Sequence, residues 1–316
     1  MHRNPHHVPL GTIAISTASG ALIALQSRVN GGLSHALGNA MEAAAISFGV
    51  GLVLLVIAAL VSRRMREGVR GIRAAVREDR LPRWHLLAGT GGAVFVLVQS
   101  YAVPRVGVAI LSVAGIAGQA VASLVVDRVG LRGDVRHALS PRRVAAAAIA
   151  CLAVYVSVTD RMAGGFGLIA VLAVGAGGIV AVQRALNAHI TDHSSNSYAT
   201  TLVNFASGTV LLVAVNLLAI GAITPPPLAA GDWWMYTGGA IGVLFIALFA
   251  VVVQRIGVLM SMVTSVGGQL LGSLLLDRLY PTEGVQLGAN VYLGVLVSFA
   301  GILVGVLRPR RVPDAM

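Results

Sequence analysis

Long apolar runs alternate with short polar breaks along almost the whole chain. Reading the runs and their breakers predicts ten helices, at about 8–27, 40–62, 85–103, 106–126, 144–160, 167–186, 197–222, 234–254, 257–276 and 287–307. Each is long enough to cross a hydrocarbon core of about 30 Å. Two of the breaks are very short, Pro104-Arg105 and Gln254-Arg255. The runs they divide are each about twice the length one crossing needs, so each reads as two helices.

The pattern is written twice. QSRVNGGLSHALGNAMEAA, residues 26–44, and QRALNAHITDHSSNSYATT, residues 183–201, both separate two apolar runs. At an offset of 157, Gly20, Gln26, Asn30, Asn39, Phe48 and Gly51 fall on Gly177, Gln183, Asn187, Asn196, Phe205 and Gly208. At an offset of 150, Gly92, Arg105, Gly107, Gly118, Gln119, Ser123, Asp127 and Arg128 fall on Gly242, Arg255, Gly257, Gly268, Gln269, Ser273, Asp277 and Arg278. The offset changes where the first copy carries a long basic loop. Each copy holds five helices, an odd number, so the second enters the membrane from the opposite side. The expected fold is therefore an all-α integral membrane protein of ten transmembrane helices. They form two inverted-topology repeats, 8–160 (with the basic loop 63–84) and 167–307, followed by a basic tail, 308–316. Inverted repeats place a substrate near the midplane at their interface and allow the two access states to exchange.

Composition supports the membrane class. The chain is 56% hydrophobic and 11% charged, with a mean hydropathy of +0.83, whereas a soluble domain carries about 25% charged residues. The net charge is +11, and all 23 basic residues are arginine. Because they cluster in a few loops, they point to membrane orientation and not to nucleic acid. With the N-terminus inside, nineteen arginines fall in inner segments (Arg184 and Arg255 among them) and four outside, so both termini are expected in the cytoplasm. Trp84 inside, and Trp233, Trp234 and Tyr236 outside, stand where aromatic belts form. The N-terminal apolar run is not read as a secretory signal, because it recurs as an internal helix. The single Cys151 excludes an intramolecular disulfide.

In the basic loop, Met65, Val69, Ile72 and Val76 alternate with Arg66, Arg70, Arg73, Arg77 and Arg80 at helical spacing. That spacing fits an amphipathic helix on the anionic inner leaflet. A solvated loop that only sets topology is the alternative, and Gly68 and Gly71 count against a helix.

The stretches ALQSRVNGGLSHALGN with FGVGLVLL, RVGVAILSVAGIAGQAVASLVVDRVG and RIGVLMSMVTSVGGQLLGSLLLDRLY resemble the YdcZ-like proteins of the drug/metabolite transporter (DMT, EamA-like) superfamily. The resemblance covers both halves and implies a ten-helix bundle and secondary transport, without naming a substrate. The copies depart from each other where Tyr280 stands for Gly130 and Ala199 for Glu42.

Polar residues inside apolar helices are the candidate machinery. Gln119, Ser123 and Asp127 line one helix face, as do Gln269, Ser273 and Asp277. The glutamines and serines either bind substrate or bond neighbouring helices. Asp127 and Asp277 sit at helix C-termini, where a carboxylate opposes the helix dipole. Either an arginine pair compensates or the group belongs to a gate. Gln26 and Asn30, with Gln183 and Asn187, fall at predicted helix ends, where they cap backbone or touch substrate. Glu42 is either a proton carrier or, with Asn39, a helix start. His189 and His193 have i, i+4 spacing but no third ligand, so no metal is expected.

The function expected is secondary transport of a small metabolite or drug-like molecule across the cytoplasmic membrane. No phosphate-binding loop is present to couple ATP, no cofactor is called for, and no enzyme activity is expected. A channel or a non-transporting scaffold is the main alternative, and a membrane-embedded enzyme on lipid-linked substrates a weaker one. The expected partners are the substrate and anionic inner-leaflet lipid. Fusing both units in one chain is compatible with a monomer and with a homodimer.

Overall fold

The computed structural model describes residues 10–129, 140–159, 165–220, 232–282, 285 and 287–306. The basic tail 308–316 and the outermost residues of both predicted repeats lie outside these. Among the described residues there are helices and no strands.

In chain order the helices are α1 (Leu10–Leu37), α2 (Ala40–Val61), α3 (Arg63–Arg77), α4 (Gly89–Val129), α5 (Pro141–Val158), α6 (Phe166–Ser194), α7 (Ser197–Ile220), α8 (Gly238–Ile256), α9 (Val258–Leu279) and α10 (Ala289–Val306). Short 3₁₀ segments, Arg83–Ala88 and Trp233–Thr237, lead into α4 and α8. Seven spans among the described residues are long and apolar enough to cross a membrane, and Ala289–Gly305 is a shorter apolar helix. The protein is a multi-pass membrane protein.

Several predicted boundaries move. α1 runs ten residues past its predicted end and α6 eight, through the polar stretches that opened the question of the repeat. Gln26, Asn30, Gln183 and Asn187 therefore lie inside helices. Capping falls instead to Asn39 and Asn196. The Asn39 side chain accepts the Met41 and Glu42 N–H groups, and the Asn196 side chain accepts those of Tyr198 and Ala199. The long runs break two residues beyond Pro104-Arg105 and Gln254-Arg255, at glycines. Gly107 (φ 83°, ψ 173°) divides α4 into limbs 89–106 and 108–129, and Gly257 (φ 79°, ψ 165°) separates α8 from α9. Only glycine adopts such backbone without strain.

The basic loop forms the helix α3, capped by Ser62. Its apolar side faces protein. Met65, Ile72 and Ala75 are buried, and Ile72 and Ala75 pack with Leu186, Ile190 and Ala199 of α6 and α7. The two glycines that argued against a helix permit this docking. A Cβ on Gly68 would lie 2.8 Å from the Cβ atoms of Asn196 and Ala199, and one on Gly71 2.9 Å from the His193 carbonyl oxygen.

The bundle interior is held by paired close approaches. α1 packs along α9, the second limb of α4 along α6, α2 on α7, and α5 on α10. A Cβ on Gly20 would collide with the Ser265 carbonyl, and one on Gly268 with that of Thr17. At the matching positions, Gly177 meets Gly115 and Gly118 meets Val174, again backbone to backbone. Phe48 and Phe205 stack 5.0 Å apart, each seated over the other's glycine, Gly208 and Gly51.

Candidate functional site

The two ends of the bundle are distinguished by α3, which lies at the end formed by the C-terminus of α6 and the N-terminus of α7. At the opposite end the C-terminus of α9 meets the kink in α4. There Asp277 accepts the N–H of Val108 at 2.9 Å and that of Ala109 at 2.8 Å. The carboxylate opposes the dipole of its own helix but caps the N-terminus of another. Among the described residues it forms no ion pair with an arginine. The seat is shaped by Gly107, where a Cβ would come within 2.7 Å of the carboxylate.

Among the described residues, no side chain fills the matching seat at the α3 end. Gly257 has nearly the same backbone angles, but α9 has no side-chain cap, and nothing lies within 4 Å of a Cβ at Gly257. Asp127, which corresponds to Asp277, pairs with Arg143 of α5. The position matching Arg143 is Leu293, so this competitor exists on one side only.

The rest of each polar row follows the same inequality. Gln269, Ser273 and Asp277 are buried, whereas Gln119, Ser123 and Asp127 are half-buried. Ser123 and Ser273 donate to the carbonyls of Ala120 and Leu270, so each hydroxyl hydrogen is used within its own helix. Among the described residues, Gln119 and Gln269 make no side-chain hydrogen bond.

Gln26 and Gln183 lie over glycines at matched positions, Gly242 and Gly92. Gln26 donates to the Gly238 carbonyl at 3.1 Å. Asn30 is fully buried with neither amide atom partnered, and Ser47 Oγ beside it is also unpartnered. Both converge on Gly238, where a Cβ would collide with Asn30 Oδ1 and lie 3.1 Å from Ser47 Oγ. Asn187 Oδ1 is likewise buried and unpartnered. Glu42 is buried in the first turn of α2, one turn from its cap Asn39, the position expected of a carboxylate that supports a helix start. His189 lies 3.3 Å from His85 between ring nitrogens.

Sequence reasoning passed over Gln99 and Arg184. Gln99 is 1% exposed, accepts from Ser27, and leaves its Nε2 unpartnered. The signal for it is a glutamine inside the apolar run VFVLVQSYAV, where the second copy has Phe249. The apolar pattern ends near residue 186 and so places Arg184 beside a loop, whereas α6 continues to Ser194. Arg184 lies inside α6, ten residues before the end.

A separate cavity of about 690 Å³ opens at the end opposite α3, lined among others by His35, Asn39, Met41, Tyr101, Arg105 and Leu172. None of the nominated residues lines it. Tyr101 and Leu172 face outward from the bundle, so it is a lateral groove. Arg105 lies over the Tyr101 ring, 3.9 Å from its centroid.

Comparison with known proteins now adds the family. The model of a family described as "Putative inner membrane exporter, YdcZ" matches residues 11–156 and again 168–304. No curated protein matches the chain. A solved structure described only as "Crystal structure of protein" is similar with a TM-score of 0.59 at 16% identity, over 96% of this chain and 100% of that one, which speaks to the fold alone.

Proposed function

The chain belongs to the YdcZ family of membrane exporters, and from that premise we propose a secondary transporter that works by alternating access between two inverted five-helix repeats. Counting the limbs of α4 separately and setting α3 aside leaves ten helical segments, five in residues 10–158 and five in residues 166–306, a division that supports this reading. The close approaches at Gly20/Gly268 and Gly177/Gly118 support a pseudo-twofold relation between the units.

The observation that carries the mechanism is the unequal filling of two equivalent seats. Asp277 fills the one at Gly107, while among the described residues none fills the one at Gly257. Inverted repeats exchange conformations, so the same chain has a second state in which Asp127 caps α9 and Asp277 is released. In the present state the bundle is latched at the end away from α3. The positive-inside count assigns the α3 end to the cytoplasm, so this is an inward-facing state. The substrate is a small metabolite or drug-like molecule that meets Gln119, Gln269, Asn30 and Asn187 between the repeats. The arginines on the outward side of α3 contact anionic lipid, and the fusion of both units in one chain is compatible with a monomer and with a homodimer.

The test uses a Cys151→Ser background, because Cys151 is exposed. Single cysteines replace Asn30 at one end and Asn187 at the other, and a membrane-impermeant maleimide is applied from each side. Asp277→Asn is expected to raise labelling at position 30 and lower it at position 187. A rise at both positions together indicates an open pore, and no change at either sinks the latch.

A further inference from the structure

Arg184 stands out among the charges of the described residues. It lies within a membrane-crossing helix and has neither an ion pair nor a hydrogen bond among them. An unpaired guanidinium at such depth is costly and marks a ligand or ion path in many membrane proteins.

Its direction is fixed by the helix. The exposed apolar stripe of α6 comprises Leu168, Val171, Leu172, Ile179 and Val182. At 3.6 residues per turn, Arg184 points roughly 170° away from that stripe. The same side carries Ala173, Ala176 and Gly177, all buried in the bundle. Yet Arg184 itself is exposed. A side chain that faces the interior and still meets solvent lines an internal cavity. The reason is geometric. Gly177 marks the tight crossing of α6 over α4 at Gly115. Arg184 lies two turns further toward the α3 end. In the matching pair, Ser27 lies two turns beyond Gly20, but it is 1% exposed and bonded to Gln99. The matching position is thus filled and bonded in the first copy, and the cation is present in one copy only.

Asn187 shares this face, one turn on, with an unpartnered buried amide oxygen. Asn amide orientation is assigned and not observed, so either end of the amide can face a ligand. We propose that Arg184 and Asn187 bind the anionic group, a carboxylate or phosphate, of the transported small molecule. Arg184 holds it through paired N–H donors, and Asn187 adds a third. The proposal deepens the transport reading, because it places an anion site in the cavity open to the cytoplasm.

The experiment measures thermal unfolding of the full chain in detergent with benzoate, inorganic phosphate, phosphatidylglycerol or tetraphenylphosphonium. Benzoate or phosphate is expected to raise the midpoint of the wild type, with the effect weakening as salt increases. R184Q should need at least tenfold more of the same anion, and R184K less than that. If R184Q does not fold, N187D carries the test, since its added carboxylate should abolish the anion effect while retaining Arg184. The idea is overturned if no soluble anion stabilises the folded wild type, or if R184Q responds equally. It is also overturned if phosphatidylglycerol alone acts through Arg184, which would make this a lipid site. Exchange in liposomes separates the two readings. Benzoate bound through Arg184 but not exchanged leaves the site standing and removes transport. Tetraphenylphosphonium flux that survives R184Q, without anion binding, leaves transport standing and removes the site.

Discussion

Asp277 accepts the backbone N–H of Val108 at 2.9 Å, across 169 residues of sequence. The bond joins the end of α9 to the start of the second limb of α4, and Ala109 donates to the same carboxylate. An aspartate that would be misplaced in its own helix becomes a cap for another. Removing it leaves two N–H groups of a buried helix start without an acceptor. Asp277→Ala is expected to lower stability by about 1–2 kcal/mol, the usual range for a lost cap. Asp127→Ala has no such cap to lose and should cost less. Thermal unfolding of the two variants in the same detergent checks the order.

The glycine at each kink separates backbone strain from steric contact. Gly107 and Gly257 share a positive φ, so alanine at either is strained by about 1–3 kcal/mol. At Gly107 the added methyl also meets the Asp277 carboxylate at 2.7 Å, while at Gly257 it meets nothing among the described residues within 4 Å. Gly107→Ala should therefore be clearly the more destabilising. Equal midpoints for the two variants would mean that the filled seat contributes nothing beyond strain.

The docking of α3 is tested at Gly68. A Cβ there comes 2.8 Å from both Asn196 and Ala199, so Gly68→Val should lift α3 from α6 and α7. Met65 and Ile72, at 2% and 4% exposure, would then become accessible. Limited proteolysis after the arginines of residues 63–80 is expected to speed up markedly, with the rest of the bundle intact. Unchanged cleavage would mean that α3 is held elsewhere.

Much of the fold was legible in the sequence because membrane helices are long and apolar, and because the pattern is repeated. What failed was the reading of polar residues as helix ends. Gln26, Asn30, Gln183 and Asn187 lie within helices, and the first three face protein, over Gly242, Gly238 and Gly92. Hydropathy registers polarity but not the direction in which a residue points. The matched asparagines Asn39 and Asn196 were visible as a pair, and their capping role follows from short side chains that accept N–H groups two and three residues on. The inequality between Asp127 and Asp277 was not legible. It depends on which of two equivalent seats is filled, and a repeat written twice cannot specify that. Arg143, which pairs with Asp127 and has Leu293 at the matching position, is the sequence feature that differs between the two sides.

That gives the last prediction. Asp127 is held by Arg143, both side chains being partly exposed, so the pair itself contributes little to stability, about 0–1 kcal/mol. Its effect should appear in the balance between states. Arg143→Gln frees Asp127 to cap the empty α9 start, where two charge-assisted hydrogen bonds are available. The expected outcome is a shift toward the state latched at the α3 end, with a small change in unfolding midpoint. In the Cys151→Ser background, a cysteine at position 187 should react more slowly with maleimide and one at position 30 faster. Combining Arg143→Gln with Asp127→Asn should return both rates toward their starting values, because the freed carboxylate is then gone. Rates that shift with Arg143→Gln but ignore the second substitution would show that Arg143 acts through some group other than Asp127.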